Sequence, residues 1–242
     1  MPMRLAALLI ALLLPQGASA ACTSTVFDGT PYTLCEVAIG DDLRLFHTGP
    51  DGILGSFNAV DAVLEPQGLR LDFAMNAGMF APDRSPLGLY VEDGVAQTPL
   101  VTRDGPGNFG LLPNGVFCWG NSFAVIETRT FAANPPACRY ATQSGPMLVI
   151  DGDLHPRFLP SSTSRYIRNG VGVSADGSRA VFAISDRSVT FHAFARLFRD
   201  GLNLPNALYL DGSISRLHAP GIGRSDIGFP MGPIVGLVVP RG

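Results

Sequence analysis

The chain contains no lysine: all 17 of its basic residues are arginine. A Schiff-base lysine and a P-loop lysine are both excluded by that absence. None of the 4 cysteines falls in a C-x-x-C pair, which argues against a zinc ribbon and a thioredoxin-like redox centre. There is no Gly-x-Ser-x-Gly elbow, so a serine hydrolase of that type is not supported. Charge is sparse, at 15% of residues with a formal net of −3, which argues against nucleic acid as a partner, since phosphate binding needs a basic face. The histidines His47, His155, His192 and His218 are scattered and form no ligand spacing. Of these only His155, beside Pro156-Arg157, suggests a general acid or base.

Long apolar runs are missing too. The unbroken stretch from Leu5 to Leu14 falls short of the about 20 residues that span a bilayer. With Arg4 before it and Ala18-Ser19-Ala20 after it, the stretch reads as a secretory signal over residues 1–20 rather than an uncleaved anchor. Residues 21–242 are then the mature chain, one domain's worth, with no segment of transmembrane length. The expected location is periplasmic or secreted. In that oxidising setting Cys22, Cys35, Cys118 and Cys138 read as two disulfides. Three connectivities exist; Cys22–Cys35 with Cys118–Cys138 is favoured because each pair flanks a hairpin-sized loop.

Much of what is present is short strands divided by tight turns. Asp-Gly or Asn-Gly recurs at Asp28-Gly29, Asp93-Gly94, Asn114-Gly115, Asp151-Gly152 and Asp176-Gly177, pairs that accept the positive φ of hairpins. Strands are expected over Leu71–Met75, Leu87–Val91, Met147–Ile150, Ala180–Ile184, Ala207–Leu210 and Ile234–Val239. Two segments read as helical. One follows Ser56 as N-cap, with Phe57, Val60, Val63 and Leu64 on one face. The other starts near Thr190, with Phe191, Phe194, Leu197 and Phe198 apolar and Gly201 as its stop. A helix between the Ile184 and Leu208 strands implies a crossover. The fold class is α+β: a single domain with a mixed β-sheet, several hairpins and at least two packed helices. Trp119 and the many Phe residues suit its core.

Three apolar strands end in polar turns: Met75-Asn76-Ala77-Gly78-Met79-Phe80, Thr142-Gln143-Ser144-Gly145-Pro146, and Leu210-Asp211-Gly212-Ser213. Small residues there bring polar groups to a sheet rim while their neighbours stay buried, which suggests one assembled site. With Arg168-Asn169-Gly170 ahead of the Asp176-Gly177 hairpin, these turns resemble the phosphodiester glycosidase family, that of the enzyme uncovering mannose 6-phosphate. The similarity runs roughly from Phe73 to Val239. Ala77 stands where the family usually has Gly, and Ser213-Ile214-Ser215 replaces a glycine-richer turn. Those departures, with Gly107-Asn108-Phe109-Gly110, resemble the uncharacterised exported bacterial branch.

The resemblance implies a hydrolase cleaving a sugar-1-phosphodiester in envelope or extracellular glycan. Such a reaction needs a cation for phosphate, carboxylates near the anomeric carbon, and amides or hydroxyls to orient the sugar. Asp211, Asp83 and Asp186 are the expected catalytic carboxylates. Arg168 offers a planar fork to phosphate, and Asn76, Asn108, Ser144 and Ser213 the orienting groups. Each also has a structural role open to it, as a turn-capping residue or, for Arg168, in a salt bridge. No cofactor is required, and a divalent metal at the Asp211 turn is compatible with the residues but demanded by no spacing. The expected partner is a glycan or sugar phosphodiester. The alternative is a non-catalytic glycan- or envelope-binding protein on the same fold.

Overall fold

A computed structural model describes residues 22–242, so the expected signal segment lies outside the described residues. Three sheets make the frame. The largest has seven strands in the order Cys22–Phe27, Thr30–Ala38, Arg179–Ser185, Asn169–Val173, Asn206–Asp211, Met147–Ile150 and Asp153–Leu154. A second runs Phe123–Glu127, Gly115–Trp119, Tyr140–Ser144, Tyr90–Glu92 and Val95–Thr98. The third runs Arg224–Ser225, Leu217–Ala219, Leu69–Asn76, Ile234–Pro240 and Leu43–Phe46.

The expected α+β class holds. The crossover after Ile184 is present too: the Arg179–Ser185 and Asn206–Asp211 strands both flank Asn169–Val173 and run in the same direction. Asn169–Val173 lies between them, so they pair with it and not with each other, and each strand pairing among the described residues is antiparallel. The Leu87–Val91 expectation is displaced to Tyr90–Glu92 because Leu89 spends its N–H on the side chain of Gln143, at 3.1 Å, instead of a ladder partner.

Turn chemistry accounts for the hairpins. Asp28, Asp93 and Asp151 have φ of 47, 48 and 48°, and the glycine after each is also positive, so both central residues are left-handed. Asn114-Gly115 behaves otherwise: Asn114 is buried and Gly115 opens a strand.

The core lies where the sheets face one another. Phe182 packs on Phe73 and Phe117 at centroid distances of 5.4 and 5.7 Å, one ring from each sheet, and Trp119 stacks on Phe117 at 4.6 Å. Trp119 is therefore a core residue, as expected, and its indole N–H donates to Leu43 O at 2.9 Å. Helix α1, Phe57–Leu64, covers the outer face of the third sheet through Phe57, Val60 and Leu64, and Ser56 Oγ accepts from Ala59 N. Helix α2, Thr128–Ala133, was not expected: it is short, and Glu127 caps it through its carboxylate. Helix α3, Phe191–Arg196, covers the seven-stranded sheet, and Thr190 caps it before a π-turn carries the chain to Gly201. Both disulfides have the favoured connectivity, Cys22–Cys35 and Cys118–Cys138. Among the described residues no helix is long and apolar enough to cross a membrane.

Candidate active site

The three polar turns meet at one end of the frame, around a residue that sequence reasoning passed over. Asn169 is fully buried at the start of its strand. Its Oδ1 accepts from Asn76 Nδ2 (3.1 Å) and from Asp211 N (3.0 Å), and its Nδ2 donates to Asn76 O (2.9 Å). Asn76 Oδ1 in turn accepts from Arg216 N at 3.0 Å, and Ser144 Oγ donates to Leu210 O at 2.8 Å. Asn76 and Asp211 are thus bound into one network through a buried amide pair, and Ser144 holds the residue next to Asp211. Satisfied on every side, such a network fixes the geometry of the strand ends. A lone Asn in the apolar run Asn169 to Val173 was the signal available for the hub.

Close backbone approach explains the glycines. A Cβ on Gly78 would stand 2.4 Å from Thr142 Oγ1 and 2.6 Å from Gln143 O, so only glycine lets the first turn reach the second. Ala77 takes no positive φ and its methyl group is in the core, which accommodates the departure from the family pattern.

Asp211 ends its strand with 8% of its surface exposed. Oδ1 accepts from Gly212 N at 2.6 Å and from Ser213 N at 2.9 Å. Burial raises the carboxyl pKa above its ordinary value, and the backbone donors of Ser213, Gly212 and Ile214 oppose the rise. Ser213 is exposed and serves this turn through its N–H.

Arg168 is buried on the α3 face of the same strand end. Nε donates to Val189 O (3.0 Å), Nη1 to Tyr209 OH (3.2 Å) and Nη2 to Ser164 O (3.4 Å). Its guanidinium lies 3.6 Å from the Phe191 ring centroid, with Tyr166 and Tyr209 also against it. Desolvation lowers its pKa, and Tyr209 counters this. Among the described residues it forms no salt bridge with a carboxylate, Asp211 included. Tyr209, held protonated by burial, accepts from Arg168 and keeps its own proton to donate. Its spacing of two from Asp211 was the sequence signal. Gly212 closes this corner: a Cβ there would stand 1.7 Å from Tyr209 OH and 3.6 Å from Arg168 Nη1. Gly212→Ala is therefore expected to displace Tyr209 while the protein still folds. A crystal structure of the variant with Tyr209 unmoved would contradict this.

The other expected residues stand elsewhere. Asp83 is exposed and caps its own turn, accepting from Ser85 Oγ (2.6 Å) and Ser85 N (3.0 Å), which lowers its pKa. Asn108 is exposed in a loop, where its carbonyl accepts from Leu111 N. Asp186 accepts from Arg224 Nη1 (2.6 Å) and Thr33 Oγ1 (3.1 Å) in a neighbouring cleft. Among the described residues no group of three or more His, Cys, Asp or Glu side chains could hold a metal ion.

His155 sits 1% exposed against Phe158, with ring centroids 4.7 Å apart. Its Nδ1 accepts from Arg157 N, and the buried ring also faces the backbone carbonyls of Leu112 and Pro113. Burial pushes its pKa down from 6.5 to about 4. The unfolded chain then takes up the proton first, so stability is present above about pH 6.5 and is lost as pH falls toward 4. Between pH 7 and 4 the wild type should lose about 3 kcal/mol more than His155→Phe, as read by denaturant unfolding. Parallel loss in the two proteins would contradict this.

Comparison with known proteins places this geometry in context. Residues 70–218 match the family described as phosphodiester glycosidase. An uncharacterised Escherichia coli protein, YigE, is 38% identical over 168 residues, 69% of this chain and 65% of that relative, so the match spans just under two thirds of its length. The catalytic domain of zebrafish N-acetylglucosamine-1-phosphodiester alpha-N-acetylglucosaminidase, in a form auto-inhibited by its pro-peptide, superposes with a TM-score of 0.61. That likeness covers 90% of this chain and 81% of the zebrafish domain at 13% identity, and speaks for the fold.

Proposed function

The chain belongs to the phosphodiester glycosidase family, and from that membership we propose that it is an exported hydrolase of sugar-1-phosphodiesters in envelope or extracellular glycan. The observation that carries the reading is a pair of buried opposite charges left unpaired. Asp211 and Arg168 flank Tyr209, yet backbone and ring contacts hold each of them and no salt bridge joins them. Burying charge without a counter-ion costs stability, a cost expected where a substrate supplies the missing charge.

In this reading the phosphate faces Tyr209 OH and the Arg168 guanidinium behind it, while the anomeric carbon faces Asp211. The C1–O bond breaks and its electron pair leaves with the phosphate, whose charge the Tyr209 hydroxyl meets with a hydrogen bond. Asp211, its basicity raised by burial, takes the proton from the water that attacks C1. The products are the free sugar and a phosphomonoester. The Asn76–Asn169 pair keeps the Asp211 turn in register. No step calls for a cofactor.

The test is hydrolysis of GlcNAc-1-phosphate methyl diester in ¹⁸O-water, followed by ³¹P NMR and mass spectrometry. Release of unlabelled methyl phosphate, with the label on the sugar, is the expected result. Label in the phosphate would replace the glycosidase with a phosphodiesterase. Saturable binding without turnover would favour the binding protein.

A further inference from the structure

Beside the Asp211 turn a cleft of about 490 Å³ opens, lined among others by Ile167, Ser185, Asp186, Arg216, Arg224 and Ile227. It shares walls with the site. Ser185 Oγ accepts from Arg168 N at 2.9 Å, and the Ser215 hydroxyl at its edge lies 2.6 Å from Asp211 O and 3.3 Å from Asn169 Oδ1.

The cleft's two arginines differ. Arg224 is fully engaged: Nη1 donates to Asp186 and Thr33, and Nε and Nη2 donate to Asp226. Arg216, 8% exposed, forms no salt bridge among the described residues, and its Nη2 is buried without a partner. Gly228 packs against it: a Cβ there would make ordinary contact with Cζ and Nε at 3.4 Å. A buried guanidinium with spare donors is suited to an anion.

The segment that carries Gly228 points to the rest of the ligand. Ile227 and Phe229, on either side of that glycine, are 94% and 81% exposed. Single exposed apolar residues are ordinary, but Ile227 lines a cleft whose buried arginine feels only the charge of Asp226 and has an unpartnered Nη2, and Phe229 follows two residues on, which together call for an explanation. One ligand answers both features: a negative charge bonded directly to an apolar chain.

We propose that this cleft is the subsite for the aglycone half of the substrate, and that the alcohol on its phosphate is a long-chain alkyl alcohol. An outward oxygen of the phosphate faces Arg216, and the chain lies along Ile227 and Phe229. The sugar half of that ligand rests on the hydrolase reading above; the charge-plus-chain preference is read by binding alone.

The experiment is calorimetric titration of GlcNAc-1-phosphate octyl and methyl diesters in the Asp211→Asn background, where the expected loss of about 10²–10⁴ in rate slows turnover during the titration. The octyl diester should bind at least about tenfold tighter than the methyl diester, from a few buried methylenes. The exposed pair Ile227→Ser/Phe229→Ser should reduce that preference to within about twofold. Uncharged octyl glucoside should bind at least about tenfold more weakly than the octyl diester. Equal affinity for the two diesters, a preference that survives the double substitution, or octyl glucoside binding as tightly would each overturn the proposal. Failure of wild-type protein to hydrolyse either diester would overturn the hydrolase reading and leave the binding preference to stand on its own titrations.

Discussion

Asp211→Asn should lower kcat/KM for a sugar-1-phosphodiester by about 10²–10⁴, the range in which a positioned base contributes, and leave the fold at least as stable. The two halves of this expectation have separate physical causes. The amide keeps an Oδ1 that can accept from Gly212 N and Ser213 N, so the turn retains its capping bonds. What it loses is the negative charge and the proton affinity. The sign of the stability effect follows from the raised pKa. A carboxyl that ionises less readily in the folded state loses stability as pH rises from its unfolded value through its folded one. At neutral pH the wild type bears that loss and the amide bears none. Thermal unfolding at pH 7 should show an unchanged or raised Tm in the variant. The same raised pKa should carry the acid limb of the kcat/KM profile above the ordinary carboxylate range. A variant that keeps full activity would remove Asp211 from the chemistry. One that is inactive and unfolded would make it a structural turn residue.

The Arg168→Met substitution is expected to separate function from stability in the same way. Removing the guanidinium gives up three charge-assisted hydrogen bonds, to Val189 O, Tyr209 OH and Ser164 O. Each is worth about 1.5–3 kcal/mol at most. Against that loss, the substitution removes a buried cation that no carboxylate balances, whose desolvation costs several kcal/mol. Met keeps much of the volume packed against Phe191 and Tyr209. The opposing effects are of similar size, so denaturant unfolding should place the variant within about 2 kcal/mol of wild type. Activity has no such compensation. Tyr209 would lose the donor that polarises its hydroxyl, and the phosphate the positive field behind it, so kcat/KM should fall by about 10² or more. Full activity with a loss above about 3 kcal/mol would show that Arg168 is held for packing alone.

The frame was largely legible in the sequence because local chemistry specifies it. Ser56 and Thr190 cap helices through their own side chains. The Asp-Gly pairs at 28, 93 and 151 force their hairpins through φ, and the first of them brings Cys22 and Cys35 together across its turn. The three polar turns could likewise be read as small residues interrupting apolar strands. What no window of sequence contained was how the turns meet. Asn76 and Asn169 lie 93 residues apart and become partners only when the third sheet folds over the seven-stranded one. Tertiary packing likewise decided which carboxylate is buried. Asp83 and Asp211 both sit in turns rich in small residues, yet one caps its own loop in water and the other closes a strand between sheets. Arg216 gave no local signal at all, because an arginine becomes unpaired only when every acid near it has been claimed by another residue. By itself the sequence determined most of the elements, the caps of α1 and α3 and the family pattern, which depend on neighbours along the chain. Which polar groups lose water, and which are left without a partner, depends on contacts across the chain, and only the tertiary structure decided that.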